Sequence, residues 1–185
     1  FSTMTITARA GGLAAVATPD GSTDVNDIEF TDVAITTPKQ PNGAQDGISI
    51  RVPAANWTLT DVTIDGFFFG LHVDGGNPGN NADTADCKAS NLTISGSNFD
   101  NTYYGGIYVN RHLVHETGEI DGLELSDSTF DSNKWRGLYF EGLSDANIDN
   151  IQVTNTGDGN APGGDLPSGA RALAINLKAG TYEDI

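Results

Sequence analysis

Five short segments share one pattern, a glycine or alanine followed by alternation: Gly47-Ile48-Ser49-Ile50, Gly70-Leu71-His72-Val73, Gly106-Ile107-Tyr108-Val109, Gly137-Leu138-Tyr139-Phe140 and Ala172-Leu173-Ala174-Ile175. Side by side they place Ser49, His72, Tyr108, Tyr139 and Ala174 in one column, and Arg51, Asp74, Asn110, Glu141 and Asn176 in the next. Arg111, His112, His115 and Lys178 follow the segment ends. If each segment is a strand, neighbours in a column stand about 5 Å apart. His72 and Tyr108 are then adjacent, while His72 and Asp74, two residues apart on one strand, are separated by about 7 Å.

Such a set suits general acid–base chemistry. A sugar-acid lyase or C5-epimerase removes the C5 proton with a base, neutralises the carboxylate with a cation, and needs an acid on the far side. In this reading His72, Tyr108, Asp74, Arg111 and His112 are the catalytic candidates, and Arg51, Asn110, Tyr139, Glu141 and Lys178 bind substrate. Arg51, Arg111, His112 and Lys178 are the cations for the carboxylate. Glycoside hydrolysis fits less well, because Asp74 and Glu141 would be roughly 10 Å apart, wide even for an inverting pair.

The elements that must position these residues repeat along the chain. A hexapeptide of the form apolar-x-polar-apolar-x-apolar recurs as Phe1–Ile6, Phe30–Ile35, Leu59–Ile64, Ala89–Ile94, Ile120–Leu125 and Ile148–Val153, and Tyr182–Ile185 opens a seventh. Its central anchors Met4, Val33, Val62, Leu92, Leu123, Ile151 and Ile185 are spaced 29, 29, 30, 31, 28 and 34 residues apart. The third residue is Asp, Asn or Gly in every copy but the first, which predicts a left-handed bend there. No helical stripe with a cap competes with the period-two alternation.

A period near 30 residues made of short strands predicts an all-β solenoid of about six coils, one domain over residues 1–185. Its expected internal ladders are Ile6, Ile35, Ile64, Ile94, Leu125 and Val153, and Phe69, Phe99 and Phe130. With no cap signal at either end, the expectation is a segment of a longer solenoid. Four longer stretches flank the second strand ("TTPKQPNGAQD", "DGGNPGNNADTADCKA", "NRHLVHETGE" and "TNTGDGNAPGGDLPSG") and are expected to wall a groove.

The segments "SNLTISGSNFDNTYYGGIYV" and "IDGLELSDSTFDSNKWRGLYF" resemble the repeats of the pectin-lyase-like superfamily of single-stranded right-handed parallel β-helices. The resemblance implies the right-handed coil and an active site on the second-strand sheet. That architecture hosts lyases, hydrolases, epimerases, tailspikes and adhesins, so it leaves function open. The alginate epimerases of this fold carry a Tyr-Gly-x-Asp-Pro-His strand. Here "YYGGIYVNRH" matches at Tyr104-Gly105 but lacks the Asp and the Pro-His pair, so that activity is not carried over to His112.

Composition narrows the partners. With 25 Asp and Glu against 9 Lys and Arg, the formal charge is −16, which argues against nucleic acid and anionic membrane surfaces. No apolar run is long enough for membrane insertion. An anionic glycan would need a local basic patch or a bridging cation such as Ca²⁺. Ca²⁺ is the cofactor to consider, through "DGGNPGNNADTAD" and "GDGNAPGGD", but neither fits the calcium-binding nonapeptide and no metal ligands are assigned. The single Cys87 excludes an internal disulfide and reads as a plain small side chain. "NWT" and "NLT" match the glycosylation triplet, with Asn91 at an expected bend.

Abundant Gly, Thr, Asn and Asp with scarce Lys suit a secreted or cell-surface protein. The expected partner is a polysaccharide, acted on by lyase or epimerase chemistry. The alternative is a non-catalytic adhesin, tailspike or spacer segment. An enzyme should gather His72, Tyr108 and a cation away from water, and a spacer should leave them solvated.

Overall fold

The computed structural model describes residues 2–7, 13–15, 25–37, 46–75, 87–111, 118–157 and 171–178. Within them the chain forms β1 (Ser2–Thr7), β2 (Leu13–Ala15), β3 (Val25–Asn26), β4 (Glu29–Thr36), β5 (Asp46–Ile50), β6 (Ala54–Thr60), β7 (Thr63–Asp65), β8 (Phe69–Asp74) and β9 (Lys88–Ser95). There follow β10 (Asn98–Asp100), β11 (Gly105–Asn110), β12 (Glu119–Ser126), β13 (Thr129–Asp131), β14 (Arg136–Phe140), β15 (Leu143–Asp149), β16 (Gln152–Thr154) and β17 (Arg171–Ile175). The described residues contain no helix, and so none long and apolar enough to cross a membrane.

Every strand pairing is parallel, and each residue's partner lies 23 to 36 residues away, as in Leu125 with Ile148 and Leu71 with Ile107. A large sheet runs β15-β12-β9-β6-β4-β7-β10-β13-β16, with β1 on β4 and β3 on β6. A small sheet runs β17-β14-β11-β8-β5-β2. The eight-residue β4 joins the two arms of the large sheet: its first half pairs with β6 and its second half with β7. One hydrophobic cluster drawn from both sheets forms the core.

The register corrects the expected ladders. Ile64 pairs with Phe99, not Ile94, and the line runs Ile6, Ile35, Ile64, Phe99, Phe130, Val153. Ile94 belongs to a second line, Phe30, Leu59, Ile94, Leu125, Ile148. The rings of Phe99 and Phe130 stack at 5.1 Å and 7° within the core, whereas Phe69 sits in the small sheet and takes no part in that stack.

The cause is a bend signal that recurs at five-residue intervals up to three times per repeat, the third time at Gly66, Asn101, Ser132 and Asn155. Asp27, Asn56, Asn91, Gly122 and Asp145 form one column of left-handed residues, and Asp32, Asp61, Gly96, Asp127 and Asn150 form another five residues further on. Asp, Asn and Gly accept this conformation at low cost, so both columns carry the same letters. The hexapeptide alignment passes from the second column at Asp61 to the first at Asn91, and back again at Asn150.

The glycines that open the second strands are not at bends. A Cβ on Gly47 would lie 2.3 Å from Ile64, one on Gly106 2.6 Å from Phe130, and one on Gly137 2.7 Å from Val153. They are glycine because the small sheet's backbone lies directly on the Ile64–Phe99–Phe130–Val153 line. This changes the strand's parity. The glycine and the residue after it both face the core, so the residue before the glycine faces the same side as His72.

Candidate functional site

The small sheet sets the columns that the sequence predicts. Ser49, His72, Tyr108, Tyr139 and Ala174 are register partners on β5, β8, β11, β14 and β17, and Asp74 pairs with Asn110 beside them. The column does not lie open to solvent. His72 is 6% exposed, Ser49 5% and Tyr139 5%.

His72 is the hub of a closed polar ring. Its Nδ1 is 3.0 Å from Asp46 Oδ2 and its Nε2 is 2.6 Å from Asn110 Oδ1. Asn110 Nδ2 donates to Asp74 Oδ1 at 3.1 Å. Arg51 Nε lies 3.4 Å from Asp74 Oδ2, its Nη2 lies 3.7 Å from Asp46 Oδ2, and its Nε also donates to Ser49 Oγ at 3.2 Å. Asp46, His72, Asn110, Asp74 and Arg51 thus bond in a circuit across three strands. A carboxylate only accepts, so Asp74 orients the Asn110 amide with its oxygen toward His72. Asp46 Oδ1, buried in the same place, has no hydrogen-bond partner among the described residues.

Tyr108 borders this ring and joins it to a second group. Its ring is edge-on to His72 with centroids 5.9 Å apart, and stacks on Tyr139 at 4.7 Å. Burial pushes the Tyr108 phenol far above its ordinary value, so it keeps its proton and serves as a hydrogen-bond donor, not as a base. Tyr139 O–H donates to Glu141 Oε1 at 2.6 Å and accepts from Asn176 Nδ2 at 2.9 Å. Lys178 Nζ stands 3.4 Å from Glu141 Oε1.

Arg111 belongs elsewhere. Its backbone N–H donates to Glu141 Oε2, but its guanidinium is held at 2.6 Å by Glu119 Oε2 of the large sheet. The cation in the His72 circuit is therefore Arg51. His112 and His115 lie outside the described residues, as do most of the four long connections and the two oxygen-rich stretches considered for Ca²⁺. Among the described residues no group of three or more His, Cys, Asp or Glu is arranged to hold a metal ion. Cys87 is buried with its thiol on the Ile50 carbonyl at 3.1 Å.

Sequence reasoning missed Asp46, Phe69 and Arg136. Strict alternation turns all three inward, and the glycine parity change turns them outward. Phe69 lies 4.1 Å from His72 and 4.7 Å from Tyr108, between centroids. The Arg136 guanidinium sits 3.6 Å from the Tyr139 ring and 3.8 Å from Trp135. Tyr104 stacks with Phe68 at 5.2 Å and meets Trp135 edge-on at 4.0 Å. Each well-placed ring pair adds roughly 0.5–1.5 kcal/mol beyond burial. The result is one aromatic sheet edge beside one polar ring. No protein-family model, curated protein or solved structure matches this chain.

Proposed function

We propose that this chain is a secreted or cell-surface right-handed parallel β-helix of the pectin-lyase-like kind, and that the outer face of its small sheet holds a polysaccharide. The coil reading is supported by uniformly parallel pairing with partners 23 to 36 residues away. The observation that carries the binding reading is the half-buried rings of Phe68, Tyr104 and Tyr108, braced by the buried Trp135 and Tyr139, on the face that also gathers long polar side chains. Aromatic faces beside hydrogen-bonding groups are what a sugar ring, apolar on its C–H face and polar at its rim, requires.

Binding fits the geometry better than catalysis because both His72 nitrogens are engaged, by Asp46 and Asn110. A second reading, uronate lyase or C5-epimerase chemistry, draws on one observation: a carboxylate oriented behind a histidine with a protonated Tyr108 beside it. In that reading a substrate replaces Asn110 at His72 Nε2, and Ca²⁺ would screen the uronates.

Affinity electrophoresis and calorimetry against neutral and acidic polysaccharides test the first reading; a chain that binds none of them refutes it. The second is tested by absorbance near 235 nm, where β-elimination leaves an unsaturated uronate, and by NMR for epimerisation. Product formed by the wild type and abolished in both His72→Ala and Tyr108→Phe would favour catalysis.

A further inference from the structure

His72 faces an acceptor at each of its ring nitrogens. Asp46 Oδ2 stands 3.0 Å from Nδ1, and Asn110 Oδ1 stands 2.6 Å from Nε2. A carboxylate has no proton to give. The Asn110 oxygen is turned to the ring because its Nδ2 donates to Asp74 Oδ1 at 3.1 Å. A neutral imidazole donates from one nitrogen only, so it would leave two lone pairs opposed across one of these contacts. The network closes only when both nitrogens carry a proton.

The surrounding charge points the same way. Around the imidazole stand Asp46 and Ser49 from β5, Arg51 just after it, Phe69 and Asp74 from β8, and Tyr108 and Asn110 from β11. Ser49, Phe69 and Asn110 carry no charge, and Tyr108 keeps its proton. The Phe69 ring, 4.1 Å from the imidazole between centroids, favours a cation beside it. Beyond Asn110 the next charged group, Glu141, is engaged by Tyr139, Lys178 and the Arg111 N–H. The circuit thus sets two carboxylates, Asp46 and Asp74, against Arg51, which lies 3.7 Å from the first and 3.4 Å from the second. An imidazolium balances it, and a neutral ring leaves a surplus negative charge where Asp46 is buried and its Oδ1 has no partner among the described residues. Arg51 reaches the same Asp46 oxygen as the ring does, which favours the shared proton on the imidazole side.

We infer that His72 is held as an imidazolium, and that its second proton is a clasp locking together side chains of β5, β8 and β11. Withdrawing that proton unlocks them. The circuit could then reclose only by turning the Asn110 NH₂ toward the ring, which would set the amide oxygen against Asp74. The inference rests on neither reading of what the sheet's outer face binds. It makes His72 a donor at both nitrogens, which removes it as a general base while the clasp is shut.

The test is NMR on ¹⁵N-labelled protein carrying His112→Asn and His115→Asn, in which His72 is the sole histidine. At pH 7 the expected spectrum shows an N–H proton on both ring nitrogens. A ring with one lone-pair nitrogen overturns the inference. Asn110→Leu removes the amide oxygen and keeps both carboxylates, and one of the two ring N–H signals should then be lost. A ring still doubly protonated in that variant shows that the carboxylates alone hold the charge, and overturns the clasp. Circular dichroism and urea unfolding check the fold. Should Asn110→Leu not fold, Asp74→Asn replaces it: asparagine both donates and accepts, so the Asn110 amide is free to turn and one ring N–H should again vanish. Finally, as pH is raised, loss of a ring N–H and displacement of the Asn110 side-chain NH₂ signals should occur in a single transition. Two separate transitions would overturn the coupling.

Discussion

The outer faces of the two sheets are built on opposite plans. Along the large sheet, short polar side chains repeat from strand to strand: Asn56 Nδ2 donates to Asp27 Oδ1 at 2.9 Å, and Asn91 Nδ2 donates to Asn56 Oδ1 at 3.0 Å. Thr129 donates to Asn98 Oδ1 at 2.7 Å in the same manner. Each link resembles the next, and most members are exposed. Along the small sheet the column runs Ser, His, Tyr, Tyr and Ala, so that only Tyr108 and Tyr139 match as neighbours. The column is largely buried, and His72 closes one irregular circuit with Asp46, Asn110, Asp74 and Arg51. Repetition spreads stability over many replaceable links. Irregularity concentrates it in a few groups that have no substitute, which is the distribution expected of a surface selected for recognition.

That contrast is most severely tested where the two sheets meet. Gly70→Ala puts a methyl group 2.3 Å from the Gly106 carbonyl oxygen and 3.0 Å from the Phe99 ring, against backbone that cannot yield cheaply. Urea denaturation should show a loss of about 3 kcal/mol. Next in size is His72→Phe, which removes the hydrogen bond to the buried Asp46 carboxylate and leaves it only the half-exposed Arg51 at 3.7 Å. We expect a loss of about 3 kcal/mol, with a substantial part regained when Asp46 is also made apolar, because the cost lies in the under-compensated buried charge. On the large sheet, Asn91→Ala forces a left-handed alanine and breaks one link, for about 1 kcal/mol, and Asn91→Gly should cost less. If His72→Phe and Asn91→Ala cost the same, the distinction between the faces fails.

The bend columns and the strand alternation made the all-β, parallel character legible, and the glycine-led segments placed His72, Tyr108, Tyr139, Asp74 and Asn110 in their correct rows. Register on the large sheet was not legible, because Asn91 and Asp61 look alike as bend residues while belonging to different columns. Asp46 and Arg136 were hidden by the parity change at Gly47 and Gly137. That change depends on how closely one sheet lies on the other, and pairwise alternation carries no trace of it.

The smallest effects concern pH. On the large sheet Lys88 holds the Asp121 carboxyl below its ordinary value, chiefly through a direct hydrogen bond. A depressed carboxyl stabilises the fold above its unfolded value and loses that contribution as pH falls through the folded one. Lys88→Met should therefore lower the urea midpoint at pH 7 and make little difference near pH 2. Asp100 has the opposite sign, since burial raises it, with Asp131 and Asp65 adding repulsion. Its charge opposes folding at neutral pH, and the penalty vanishes as pH falls to its unfolded value. Asp100→Asn, whose oxygen can still accept the Asp131 N–H, should raise the midpoint at pH 7 and not near pH 3.

On the small sheet Leu138 and Phe140 are sealed on β14, which has β11 on one side and β17 on the other. A strand that touches only its predecessor and its successor has nothing else to fasten it. Strands paired on both sides, such as β5, β8, β11 and β14, should therefore hold their amides longest against exchange. The His72 circuit is anchored on three of them, β5, β8 and β11, so its polar ring opens only when one of these strands does.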